Sequence, residues 1–171
     1  MIVTRSIFSF DVVPMLWSAD WAWGLPLIVV TVVFHVLGLG FTYQKAVELY
    51  WRKKDRRYPT IFFVMVMSTV IFLATALHAV ETMAWASCYQ FLGARPDFKT
   101  SMLYSLGAMT TFGAGAGLTL EPRWQLMGSI EALSGWLLFG MTTAFLFWTL
   151  QKCYEIAAQD KPSQPDAGRH H

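Results

Sequence analysis

The run Tyr104-Ser-Leu-Gly-Ala-Met-Thr-Thr-Phe-Gly-Ala-Gly115 decides how the rest of this chain is read. Its first half predicts a short amphipathic helix that ends near Thr110. Glycine then falls at alternate positions, Gly113 and Gly115, with Gly117 two residues further on. Glycine opens backbone conformations that L-residues avoid, so an extended segment with glycines interleaved can point successive carbonyls the same way. Irregular backbone at membrane depth survives only where it is buried in protein or lines a water-filled path. Carbonyl oxygens on such a path replace the hydration shell of a cation, and the Thr111 hydroxyl can add one more oxygen. The short helix would aim the negative end of its dipole at the same place. The segment therefore favours cations.

The flanks supply the membrane. Of 171 residues, 55% are hydrophobic and only 14% are charged, against ~25% charged in an ordinary soluble domain. A net charge of +2 gives no reason to expect nucleic acid as a partner. Three stretches reach ~18 or more nearly uncharged residues, the length that crosses a bilayer. They are 21–44, 61–80 with a helical continuation to about Cys88, and 124–150, interrupted only by Glu131. The first is too uniformly apolar, and too far from a basic start, for a cleaved signal peptide. The run 98–111 has 14 residues and reaches only about 21 Å as a helix, the length of a re-entrant or core helix. The expected fold is an all-α membrane protein with three transmembrane helices, a re-entrant helix and a loop. It divides into an N-terminal segment 1–20, a first transmembrane helix 21–44, a basic loop 45–59, a helical unit 60–151 and a tail 152–171. The tail's Pro, Asp, Ser and Gln content predicts disorder.

The basic residues set the direction. Lys45, Arg52, Lys53, Lys54, Arg56 and Arg57 stand against Glu48 and Asp55, which predicts a cytoplasmic loop. The N-terminus is then outside and the C-terminus cytoplasmic, in a multi-pass protein of the cell inner (plasma) membrane. The run 98–111 enters from outside. The basic loop reads as a topology signal touching anionic lipid rather than as a nucleic-acid site. Trp17, Trp21 and Trp23 at one end, and Tyr50 and Trp51 at the other, fit interfacial aromatic belts.

Two intramembrane acids are candidates for function. Glu131 shares a helix face with Gly128, Ala132 and Gly135 by i, i+3, i+4, i+7 spacing, and small residues there permit close approach of the short helix. Its two readings are a structural hydrogen bond to that helix or its loop, and a direct role in ion passage or gating. Glu81 forms a stripe with His78 and Trp85 near the outer end of the second span, as an interhelical polar contact or a proton sensor. His35 and His78 lie on different spans, which raises a bis-histidine haem site. Counting from the span ends puts His35 a little past mid-span and His78 near the outer end, so their depths disagree and no cofactor is expected. Cys88 and Cys153 fall on opposite sides and do not pair. No hydrolase, metalloprotease or phosphate-loop motif occurs, so no enzymatic activity is expected.

The run 103–115 resembles the pore helix and selectivity filter of tetrameric potassium channels, whose signature is Thr-Thr-Val-Gly-Tyr-Gly followed by Asp. The segment Arg123-Trp-Gln-Leu-Met-Gly-Ser-Ile-Glu-Ala-Leu-Ser-Gly135, continuing to Ala144, is similar to the inner helix of bacterial two-helix pore-domain channels, the ion channel family, which reads Glu-Ala-Leu-x-Gly. The resemblance covers roughly 61–150. It implies a passive potassium channel, a homotetramer around a shared axis, and a filter made by Thr110, Thr111, Phe112, Gly113, Ala114 and Gly115. Potassium, the transported ion, would be held by backbone or hydroxyl oxygens of residues such as Thr111 and Gly113. Gly135 and Gly140 would let the inner helix bend during gating. The chain departs from the signature at Phe112 for Val, Ala114 for Tyr and Ala116 for Asp. Ala114 lacks the ring that braces such a filter against the pore helix, and Ala116 lacks the outer-mouth carboxylate. A looser filter is expected, or one that does not conduct at rest. The alternative reading is a channel-like membrane interaction or regulatory protein that kept the architecture without conducting.

Overall fold

The computed structural model describes residues 13–52, 59–113 and 118–158, which form helices joined by turns. Among the described residues, three helices are long and apolar enough to cross a membrane: α1 (Val13–Arg52), α2 (Pro59–Phe91) and α4 (Gln125–Ala158). Between α2 and α4 lies the short α3 (Phe98–Met109), and a single 3-10 turn (Pro122–Trp124) leads into α4. The 40 residues of α1 reach about 60 Å, twice a hydrocarbon core of ~30 Å, so α1 has length to spare at its ends.

Local chemistry sets the starts. Pro59 opens α2, where its missing N–H is no loss. Asp97 opens α3 from extended backbone, its carboxylate accepting the Thr100 N–H at 2.9 Å. The first turn of α4 is capped from another element: Asp20 of α1 accepts the Met127 N–H at 2.9 Å, taking up a donor that the helix itself cannot satisfy.

α1 packs on both α2 and α4, and α3 packs on α2 and α4. At one end an apolar cluster gathers Trp85, Tyr89, Met109, Trp124, Met127 and Leu138. At the other, Ala46, Tyr50, Phe62, Val66, Cys153 and Ile156 close the three long helices.

Several boundaries move. Residues 45–52, expected as loop, continue α1: Glu48 pairs with Lys45 and with Arg52, each at 3.2 Å, while Ala46 and Tyr50 are buried against the ends of α2 and α4. Such i, i+3 and i, i+4 pairs support exposed helix. Residues 152–158, expected in a disordered tail, continue α4 because Cys153 and Ile156 are fully buried. α1 also begins eight residues before position 21, at Val13. Residues 1–12 of the expected N-terminal segment, positions Ala114 and Gly115 of the expected filter, the centre of the basic loop at 53–58 and the tail beyond 158 lie outside the described residues.

Candidate functional site

The segment between α2 and α4 leaves and returns at one level. Glu121 N–H donates to the Ala94 carbonyl at 3.4 Å, Arg95 to the Thr119 carbonyl at 2.7 Å, and Arg123 to the Leu92 carbonyl at 3.3 Å. Between these ties the chain runs out along α4. A Cβ on Gly128 would overlap the Tyr104 hydroxyl, and a Cβ on Gly135 would overlap the Met109 carbonyl oxygen. Those glycines span about 10 Å of α4 at ~1.5 Å per residue, and α3 lies in the groove they leave. Gly135, assigned to a hinge by the resemblance, thus has a packing reason of its own. Gly140 has no neighbour where a Cβ would stand.

Glu131 sits between those two glycines and is fully buried. Its Oε2 accepts from the Tyr89 hydroxyl of α2 at 2.7 Å, and its Oε1 is hydrogen-bonded to Ser105 of α3. The Ser105 hydroxyl also lies 3.0 Å from the Thr82 carbonyl of α2. A hydroxyl has one proton to give, and a carbonyl can only accept. All three contacts close together when Ser105 donates to Thr82 and the carboxyl group of Glu131 donates its own proton to Ser105. Of its two sequence readings, the hydrogen bond to the short helix is the one this geometry displays.

The end of α3 carries the described part of the expected filter. Thr111 N–H donates to the Ala108 carbonyl at 3.0 Å and Gly113 N–H to the Gly107 carbonyl at 3.1 Å. Thr111 has φ +56° and Gly113 φ +84°. The extended segment expected here is a tight turn over residues 110–113, because the last carbonyls of α3 need donors and a left-handed residue brings them round. Glycine takes that conformation freely, whereas a β-branched residue there is strained. Positive φ at Thr111 and Gly113 flanks Phe112, and alternation of this kind can aim consecutive N–H groups to one side and carbonyls to the other. Thr110, Thr111 and Gly113 are exposed on the single chain, and Phe112 is 89% exposed.

A second polar cluster lies where α1, α2 and α4 meet. His35 Nδ1 stands 2.7 Å from Glu81 Oε1, and His35 Nε2 stands 2.9 Å from the Thr142 hydroxyl. His78 Nε2 reaches the same hydroxyl at 3.0 Å, and its Nδ1 lies 3.3 Å from Glu81 Oε2. The two imidazoles are 4.9 Å apart, centre to centre. His35 and His78 therefore lie at one depth, not at the two depths expected from the span ends. The helices overrun the ends of their apolar runs by different amounts. The rings are in contact, with no gap between them for a macrocycle. Glu81 makes an interhelical polar contact, as one of its two readings held.

The sequence offered no sign of Thr142. Tyr89 carried none either, being one aromatic among many. Asp20 had a signal, as a lone acid at the edge of an uncharged run, but it was assigned to the N-terminal segment. Cys88 and Cys153 are both free. No family model, no curated protein and no solved structure matches this chain.

Proposed function

We propose that this chain is one subunit of a passive cation channel, potassium by the resemblance of 103–115 and 123–144, in which four copies surround an axis. The observation that carries the reading is the exposed turn Thr110–Gly113, held at the far end of α3 and partway along two candidate spans. Non-helical backbone at that depth is not tolerated facing lipid; it must be buried in protein or line an aqueous path. A single loop cannot enclose a path, and closed cyclic symmetry supplies the missing walls. In this reading α3 is re-entrant, and the oxygens of Thr111, Phe112 and Gly113, continued by Ala114 and Gly115, serve the ion. The basic residues around 45–57 then face the cytoplasm of a plasma-membrane protein, with the N-terminus outside. Bending α4 at Gly135 would lift it from the Met109 carbonyl, linking gating to support of the loop, while Gly140 is free to flex.

One observation favours the second reading, a channel-like interaction or regulatory protein: the Gly113 amide folds back onto α3 instead of extending. Purified protein in liposomes separates the two. Conduction predicts potassium flux without valinomycin, with a reversal potential set by potassium when sodium fills the other side. Absence of flux across pH and voltage overturns the channel proposal and leaves the non-conducting one.

A further inference from the structure

We infer that His35, His78 and Glu81 form a binding site for a divalent first-row transition ion of the zinc class. One ligand atom from each residue lies within 4.8 Å of the others. Two imidazoles and a carboxylate are a donor set that holds zinc with one position left over. Imidazole donors select this class against calcium and magnesium, which take oxygen.

Two details point to a cation and not merely to a hydrogen-bonded contact. First, Glu81 Oε2 is fully buried and has no hydrogen-bond partner; His78 Nδ1 lies 3.3 Å from it, outside hydrogen-bond geometry. A buried carboxylate oxygen without a donor is costly, and a bound cation removes the deficit. Second, both Nε2 atoms converge on one hydroxyl, that of Thr142. That hydroxyl can donate to only one of them. The other imidazole donates its Nε2–H to the hydroxyl oxygen; with His35 giving its Nδ1–H to Glu81 Oε1 that imidazole is His78, whose Nδ1 then either carries a second proton or sets a lone pair against Glu81 Oε2 at 3.3 Å. A metal bond to nitrogen relieves this conflict, since the ligands are then two neutral imidazoles and one carboxylate. Any extra proton shared by the cluster leaves on binding. A water takes the remaining position, with the Thr142 hydroxyl beside it as an outer contact.

His35 and Glu81 side chains are fully buried, but His78 is 27% exposed, which gives the ion an entry edge. The bound ion would tie α1 to α2, with α4 joined through Thr142. This goes beyond the channel proposal and does not depend on it, because no ion flux enters the measurement.

The full chain has four histidines, so His170→Ala with His171→Ala leaves only the pair in the cluster. That protein, loaded with Zn²⁺ in detergent and dialysed against metal-free buffer, should retain one zinc per chain and melt at a higher temperature than before loading. Co²⁺ in its place should give the visible absorption of a four- or five-coordinate site. His78→Ala and Glu81→Gln should each weaken binding by more than ~100-fold, and Thr142→Val, an outer contact, by about tenfold. Should Glu81→Gln fail to fold, His78→Ala at the exposed edge carries the comparison, with the cobalt spectrum as its readout. No retained zinc, or retention unchanged in His78→Ala, which would place the ion at the thiols of Cys88 or Cys153, overturns the site.

Discussion

Glu81 and Glu131 are both fully buried in the bundle, yet their surroundings differ in kind. Glu81 faces two imidazoles, and its second oxygen is short of a donor. Glu131 faces the hydroxyls of Tyr89 and Ser105 and is saturated by them. The first environment suits a negative charge awaiting positive charge. The second suits a neutral acid used as a peg that fixes α3 between α2 and α4. An acid inside a membrane helix is commonly taken as functional; here the partners, not the acid, separate an ion site from a fastening.

Glutamine is the sharpest probe of that difference. Glu81→Gln removes the carboxylate from one buried and one half-buried imidazole and should destabilise by ~1.5–3 kcal/mol, the range for a hydrogen bond to a charged group. Glu131→Gln keeps an acceptor for Tyr89 and a donor for Ser105, and should cost about 1 kcal/mol or less. Thermal melts of both variants in detergent test this, and equal losses would erase the distinction.

The peg needs its seat. Gly135→Ala drives a Cβ into the Met109 carbonyl and should cost ~1–3 kcal/mol as overpacking. Gly140→Ala, with open space, should be neutral or gain up to ~1 kcal/mol of helix propensity. Melting temperatures that move alike would mean α3 is not wedged against α4 at Gly135.

Two smaller effects concern the ends of α3. Thr111→Gly relieves a left-handed β-branched residue and should stabilise by about 1 kcal/mol, read as slower amide exchange through 107–113. At the other end, the Thr100 N–H and hydroxyl hold the Asp97 carboxyl below its usual range. A lowered folded-state pKa means that this contribution is fully present above the ordinary carboxylate pKa of ~3.9 and is lost as pH falls through the lowered value. Asp97→Ala should speed exchange in the first turn of α3 at neutral pH and abolish that acid-side dependence; exchange unchanged at both pH values would remove Asp97 as the cap.

Residue order alone settles composition and the direction each side chain takes around its helix. Uncharged runs set three helices long enough to cross a membrane, and the length of 98–111 set one that is not. The spacing of Gly128, Glu131 and Gly135 put them on one face, the face on which α3 lies, because side-chain periodicity fixes direction around a helix axis. It carries no information about how far one helix slides past another. That stagger is a packing outcome, visible where a Cβ on Gly38 of α1 would strike the Leu77 side chain of α2. Only the tertiary structure therefore brought His35 to His78 and Glu81, set Thr142 between the imidazoles, and placed Asp20 over the start of α4. Each of these contacts depends on axial offset between helices far longer than the bilayer core, and residue counting from the ends of a hydrophobic run cannot supply it.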